Sequence, residues 1–373
     1  MVGILFDAMS LDGKPSGTRT RLLRLVPELV ERGHAVTVAH GPAFDEGARA
    51  ALKRASLVEV SPPPGPGPLR RLGLQRLVYR RLQREAAPDV VSAETWPMPH
   101  VDGLIPVVHD LRYLGLGLPF RALFHQLLRD ACERAVRIHT ESKTVATQLT
   151  QLISLDPARI DVVPIGVPLP DITALDQSDP DTAQPYVLVV GHDEPRKNYS
   201  VVAELARALC GSDIRVVRAG RRPGDRVSRG YRAGTSRLCS SSSRLAQRDS
   251  GPVDHIGIVT DARRDVLYRH ATAVIVPSRL EGYGLVPLEA LAAGAVVIAS
   301  DIPAHREILG DAALFFDPAS PDALVAVVGR AMRAREDERA DRVHRGRARA
   351  AQFSPRHSAE AFEASLAAAG LRP

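Results

Sequence analysis

The sequence predicts an α/β protein of two doubly wound, Rossmann-like domains facing one another across a cleft. Three observations carry this expectation. A chain of 373 residues is too long for one ordinary core and suits two. Short apolar runs alternate with helix-length amphipathic segments along most of its length, which marks parallel sheets covered on both faces. An aperiodic stretch rich in Pro, Asp and Thr, residues 164–185, interrupts that alternation near the middle.

In the first domain the strand candidates are residues 2–6, 35–39, 57–60, 89–92, 105–108, 137–140 and 161–163, with helices over 18–32 and 119–135. Most are dominated by Val, Ile and Leu, as strands buried on both faces require. Pro27 should kink or divide the first helix, because it lacks an N–H and its ring crowds the preceding turn. The second series is 186–190, 214–219, 255–259, 273–276, 296–299 and 313–316. Within it, residues 221–250 carry four consecutive serines and no period, which predicts a mobile loop. Beyond Ala323 the chain becomes Arg- and Ala-rich helix, and Ser354 before Pro355 is a fitting N-cap for a last helix over 355–369. The domain limits that follow are 1–168, a linker at 169–185, 186–352, and a terminal helix at 353–373 whose return to the first domain is left open.

Hydrophobic residues make up 45% and charged residues 25%, a globular balance, and no run of about 18 apolar residues occurs that would span a membrane. Three distant cysteines, Cys132, Cys210 and Cys239, argue against a disulfide framework and a clustered zinc site and fit a reduced, cytoplasmic compartment. The opening MVGILFDAMS lacks a basic n-region and reads as a buried strand rather than a signal peptide. A formal charge of +6 suits an anionic ligand or surface. With aromatics at 4% no stacking platform accompanies that charge, which argues against nucleic acid.

Chemistry concentrates at PSRLEGYGLVPLEALAAG, residues 277–294, where an apolar strand passes through Gly282, Tyr283 and Gly284 into a helix. A glycine-permitted loop at a helix N-terminus presents free N–H groups and a positive dipole end, which suits a phosphate. The backbone of Gly284 and Leu285 would be the donor. Glu289, about one turn further in, can accept two hydrogen bonds from vicinal ribose hydroxyls. Glu281 stays in the loop, free to face a sugar. Spacing alone slightly favours a plainer reading, a solvated loop acid and a locally paired helix acid, since Gly-rich turns into helices are common.

This stretch resembles the E-x7-E motif of retaining glycosyltransferases with the GT-B fold, family four, also called group 1. The likeness runs from Asp254 to about Leu324, through HIGIVTDARRDVLYRHATAVIVPS before the motif and ALAAGAVVIASDIPAHREILGDAALFFDP after it. It implies a donor nucleotide held mainly by the C-terminal domain and an acceptor held by the N-terminal one. A second match is VVGHDEPRKN, 189–198, where two adjacent cations at a strand end can neutralise a departing diphosphate. The resemblance gives that task chiefly to Lys197, with Arg196 beside it. Relatives often carry Arg straight after the glycine, where this chain has His192, so the division of labour among His192, Arg196 and Lys197 stays open.

A third match is VVHDLRY, 107–113. In relatives a histidine in the place of His109 works near the donor sugar and the departing bond, with an acid like Asp110 beside it. A lone His at a strand end is also an ordinary structural residue. The fourth match, SGT at 16–18, has the single Gly17 where relatives have two glycines contacting phosphate or sugar, with Gly13 four residues earlier.

Asp179-Pro180-Asp181 imitates the metal-holding DxD of a different glycosyltransferase fold, yet it falls in the expected linker rather than at a strand end. The most basic stretch, 69–84, sets Leu74, Val78 and Leu82 on one helical face and Arg76, Arg80 and Arg84 on another. It reads either as a surface helix packed on the sheet, slightly the better supported, or as a peripheral contact with an anionic membrane.

The resemblance thus implies a retaining hexosyltransferase of glycan synthesis, independent of metal and without a cofactor, at work in the cytoplasm or at the inner membrane face. Its co-substrate would be a nucleotide-diphosphate sugar, with GDP-mannose suggested first by the pairing of RKN with HDL, and its acceptor an unidentified hydroxyl. The implied catalytic residues are His109, Arg196, Lys197 and Glu281; Gly17, Asp110, His192, Gly282, Tyr283, Gly284, Leu285 and Glu289 would contact the donor. Two alternatives remain, a catalytically silent sugar-nucleotide-binding subunit and a sugar-nucleotide epimerase of the same fold. The oligomeric state is not legible in the sequence.

Overall fold

The computed structural model describes residues 1–9, 16–60, 79–96, 98–115, 117–176, 179–221 and 253–371. Gly13, Cys239, residues 69–78 of the basic stretch and residues 222–250 of the expected loop lie outside these. The chain divides into two compact units, 1–166 together with 353–373, and 167–352.

The first unit is built on β1 (Gly3–Ala8), β2 (Ala35–His40), β3 (Ser56–Glu59), β4 (Val90–Ala93), β5 (Leu104–Val108), β6 (Ile138–Thr140) and β7 (Ile160–Val162). They pair in parallel in the order β3-β2-β1-β4-β5-β6-β7. β4 and β5 are buried at every position, which is why they are apolar throughout except for Ser92. The strand order reverses between β1 and β4, and side chains just past the carboxyl ends there line the crevice that such a reversal opens.

The helix Gly17–Glu31 runs through Pro27 undivided, so of the expected kink or division the division does not occur. Leu22, Leu25, Val26 and Leu29 bury one face of it against β1 and β2, and that packing outweighs the loss of one backbone hydrogen bond. The terminal helix Pro355–Ala368 joins the same core through Phe362, whose ring lies 5.7 Å from that of Phe6 and 5.0 Å from that of His139. In the helix Tyr79–Ala86, Tyr79 and Leu82 are buried with Leu5, Ala39 and Val91. The described part of the basic stretch therefore turns its apolar side to the core and does not offer it to a membrane.

The second unit carries β8 (Tyr186–Val190), β9 (Arg215–Ala219), β10 (Val253–Gly257), β11 (Ala273–Val276), β12 (Val297–Ser300) and β13 (Leu314–Phe316), again all parallel, in the order β10-β9-β8-β11-β12-β13. Its order reverses between β8 and β11. Residues 169–185 carry two short 3-10 turns, Ile172–Leu175 and Pro180–Thr182. Both carboxylates of Asp179-Pro180-Asp181 close on Arg263, at 2.8 and 2.6 Å, so the triplet anchors the helix Asp261–His270. Among the described residues no helix is long and apolar enough to cross a membrane.

Candidate active site

In the second unit the motifs meet at the β8/β11 reversal. β11 ends at Val276, Pro277 and Ser278 follow it, and the loop closes on Gly284, whose φ of 104° is a left-handed conformation open to glycine. Gly284 is the N-cap of the helix Leu285–Ala292 and provides no side-chain cap. The first N–H groups of that helix are therefore not taken by a capping side chain. Tyr283 is buried beside it, and Gly282 is half-buried.

β8 ends at Val190, Gly191 follows it, and the 3-10 turn Pro195–Lys197 comes next. Asn198 then takes a left-handed conformation, φ 56°, and its side-chain amide donates to the Pro318 carbonyl at 2.9 Å. The Arg279 N–H donates to the Arg196 carbonyl at 2.8 Å, which ties this turn to the β11 loop. A second constraint sits behind it: a Cβ on Gly220 would come within 2.1 Å of the Gly191 carbonyl oxygen, so the loops after β8 and β9 approach at a distance that only glycine permits.

These constraints bring Glu281 between the two cations. Lys197 Nζ donates to Glu281 Oε1 at 2.6 Å, Arg196 Nη1 to Oε2 at 2.7 Å, and the Ser278 hydroxyl to Oε1 at 2.7 Å. The expectation of a loop carboxylate free to face a sugar is thereby corrected: Glu281 is engaged by both positive charges. Burial alone would raise its pKa, but Lys197 and Arg196 outweigh that and hold it down at about 2. Arg196 is held from the other side by Glu194 at 2.7 Å.

His192 accepts the Arg221 backbone N–H on Nδ1, at 3.4 Å. Burial, followed by Arg221, depresses its pKa below the ordinary histidine value, which favours the neutral ring. Glu289 is buried within the helix Leu285–Ala292, its Oε1 3.7 Å from Arg264 Nη2, and Arg264 is shared with Asp261 and Asp265. Neither Arg264 nor His305 was singled out from the sequence. His305 is fully buried behind the loop; its Nδ1–H donates to the Ser300 carbonyl at 2.9 Å, and its ring lies 3.4 Å from where a Gly284 Cβ would stand. Nothing in the local sequence pattern distinguishes it from a surface histidine of a helix.

The first unit holds its own cluster at the β1/β4 reversal. His109 follows β5 and its side chain is 19% exposed. Its Nδ1 lies 2.7 Å from Glu141 Oε1, and its Nε2 lies 3.3 Å from Thr18 Oγ1 and 3.5 Å from Glu94 Oε2. Gly17 opens the helix that carries Thr18, with Ser16 as N-cap accepting the Arg19 N–H. Arg21 from the next turn donates to Glu94 at 2.6 Å with both side chains buried. Asp110 accepts the Arg112 N–H and pairs with its guanidinium, both at 3.0 Å, so it shapes the turn after His109. Asp7, at the end of β1, is raised to about 6, chiefly by burial. Arg21, Glu94 and Glu141 had not been foreseen as site residues.

Comparison with known proteins bears on both units. The family described as Glycosyl transferases group 1 matches residues 172–349, and the one described as Glycosyltransferase Family 4 matches residues 15–170. A D-inositol 3-phosphate glycosyltransferase of Mycolicibacterium vanbaalenii is 34% identical over 241 residues, covering 57% of this chain and 52% of the relative. The O-antigen chain mannosyltransferase RfbU of Salmonella typhimurium is 27% identical over 213 residues, 57% of this chain and 56% of that one. The matched part thus spans about half the length of these curated relatives. Among solved structures, Anabaena HepE in complex with UDP and glucose superposes with a TM-score of 0.71 at 18% identity, over 98% of this chain and 100% of the other.

Proposed function

This chain belongs to the group 1 glycosyltransferases of GT-B fold, and from that premise we propose that it transfers a hexose from a nucleotide-diphosphate sugar to an acceptor hydroxyl with retention at the anomeric carbon. One observation carries the reading: Arg196 and Lys197 converge on one carboxylate, Glu281, in the loop that leads into the uncapped helix at Gly284. Two cations and free backbone N–H groups at one strand edge suit a diphosphate. In the free protein Glu281 neutralises the cations and keeps them ordered. A bound diphosphate competes for them and releases the carboxylate toward the sugar.

Glu289, fixed beside Arg264, is assigned to the ribose hydroxyls. Lys197 and Arg196 stabilise the charge that develops on the leaving phosphate. His109 is assigned a hydrogen bond to the substrate as an imidazolium, since Glu141 and Glu94 favour its charged form. With the leaving phosphate taking the acceptor's proton, no separate protein base is required, nor a metal ion. A GDP-sugar, GDP-mannose first, is the proposed donor, supported by the mannosyltransferase among the relatives. A UDP-sugar is the alternative, supported by the ligand of the HepE structure.

The deciding experiment is a thermal-shift panel of GDP-, UDP-, ADP- and dTDP-sugars, because binding raises apparent stability by mass action. The best stabiliser is then incubated with candidate acceptors and the anomeric configuration of the product read by NMR. Stabilisation by one donor and an axial-to-axial transfer is the expected result. An inverted product overturns retention, and stabilisation without turnover or donor hydrolysis on any acceptor favours a silent binding subunit.

A further inference from the structure

β9 carries an arginine where its pattern calls for an apolar residue. Alternation along the strand puts Arg218 on the same face as Val216, which belongs to the core cluster of Val201, Val202 and Leu205 from the helix Tyr199–Ala208. Arg218 is 6% exposed. Its guanidinium lies over the Tyr199 ring, 3.7 Å from the centroid, and its Nη1 donates to Asp193 Oδ2 at 3.4 Å. Those contacts answer one face and one nitrogen. Nε and Nη2 are buried with no hydrogen-bond partner among the described residues, and so is the Tyr199 hydroxyl. A buried cation with idle donors is costly to hold, and an apolar side chain in its place is often at least as stable. Donors kept idle at that cost point to an acceptor that comes from outside the chain.

The place is the turn after β8. Gly191 has a φ of 142°, and a Cβ there would stand 2.8 Å from the Tyr199 hydroxyl and 3.8 Å from Lys197 Cε. Both side chains therefore close on one point of the backbone, and only glycine leaves room for them. Lys197 is the cation that Glu281 holds at 2.6 Å, so the hydroxyl lies beside the ion pair that a diphosphate is proposed to open. Burial pushes the Tyr199 hydroxyl up to about 12, against the pull of Arg218, so it keeps its proton and can donate to an anion. A phosphate offers several acceptor oxygens at once, which suits one phenol, one ammonium and the free edge of one guanidinium. A neutral sugar hydroxyl would leave the charge of Arg218 unanswered.

We infer that the Tyr199 hydroxyl and the unpaired edge of Arg218 donate to the terminal phosphate of the nucleoside diphosphate, the same phosphate that Lys197 holds. The inference rests on the proposed transfer reaction and adds to it two substrate-binding residues, one of them from the neighbouring strand β9. It also accounts for the cost: the charge of Arg218, largely unanswered in the free protein, is answered when the diphosphate arrives, so stability given up in folding is recovered in binding.

Calorimetry of the full chain with GDP, GMP, UDP and UMP tests it, because only the diphosphates carry the terminal phosphate. Tyr199→Phe should weaken the better-bound diphosphate at least about tenfold and leave the matching monophosphate unchanged. Arg218→Met should do the same while melting no lower than the wild type, since it exchanges an unanswered buried charge for an apolar side chain. Should Arg218→Met melt below the range of the assay, Tyr199→Phe, which loses one buried oxygen, decides alone. A wild type that prefers the diphosphate, with that preference undiminished in the variants, overturns this inference and leaves the transfer reaction standing. Equal weakening of di- and monophosphate also overturns it, because the substitutions would then have distorted the turn as a whole. A wild type that binds none of the four nucleotides overturns the donor reading itself, and this inference with it.

Discussion

Glu141 Oε1 lies 2.7 Å from His109 Nδ1, and Arg21, buried behind them, spans both acids of the cluster at 2.6 Å to Glu94 and 3.9 Å to Glu141. Burial by itself would favour neutral imidazole. Glu141, bonded and close, and Glu94 together outweigh burial and the opposing charge of Arg21, and the imidazolium is pushed up to about 9. The three strands that deliver these residues, β4, β5 and β6, are adjacent in the sheet.

A histidine raised above its ordinary 6.5 stabilises the fold fully below that value and ceases to do so as pH rises through about 9. Between pH 6.5 and 9 the wild type should lose about 2–3 kcal/mol of unfolding free energy relative to His109→Gln. Urea titrations across that range measure it. Parallel curves for the two proteins would show that Glu141 does not hold the ring charged.

Lys197→Ala removes a cation from the proposed leaving-group site. Turnover should fall by about 3 kcal/mol of transition-state stabilisation, roughly a hundredfold or more, with Glu281 still held by Arg196. Release of nucleoside diphosphate is the readout. An unchanged kcat removes Lys197 from the mechanism.

Glu281→Gln should separate binding from chemistry. Without the carboxylate the two cations are no longer neutralised, so a nucleoside diphosphate should bind about tenfold more tightly while transfer slows. Glu281 is held at about 2, below its ordinary 4.5, so its contribution to stability is present above pH 4.5 and is lost as pH falls toward 2. The variant should lack that part of the acid slope. Calorimetry showing weaker diphosphate binding would contradict the competition between carboxylate and phosphate.

Glu289→Ala should weaken nucleoside diphosphate binding by about 1.5–3 kcal/mol, the range of hydrogen bonds to a charged group. A 2′,3′-dideoxy analogue should bind the variant and the wild type alike. If the variant still prefers the ribose form, Glu289 is instead a partner of Arg264 with a structural task.

Chelation should leave turnover intact. Asp179 and Asp181, the pair that imitates a metal motif, are already bonded to Arg263. Restoration of activity by magnesium after EDTA treatment would overturn the metal-free proposal.

The sequence by itself determined the two parallel α/β sheets, because strands buried on both faces must be runs of apolar residues and such runs are visible locally. Each expected run overlaps an observed strand. It also marked Arg196, Lys197, Glu281 and Glu289, through the resemblance of the motifs that carry them, since spacing alone would have left the plainer reading standing. Only the tertiary structure decided how those charges are spent. Glu281 meets Lys197 across 84 positions, and His109 meets Glu94 and Glu141 because strand order sets three carboxyl ends side by side. The helix through Pro27 survives, and Leu82 turns inward while Leu118, Phe120 and Leu123 stay out, because packing against a particular neighbour decides each case. Hydrophobic pattern states what must be buried; which groups then meet is a property of the assembled sheet.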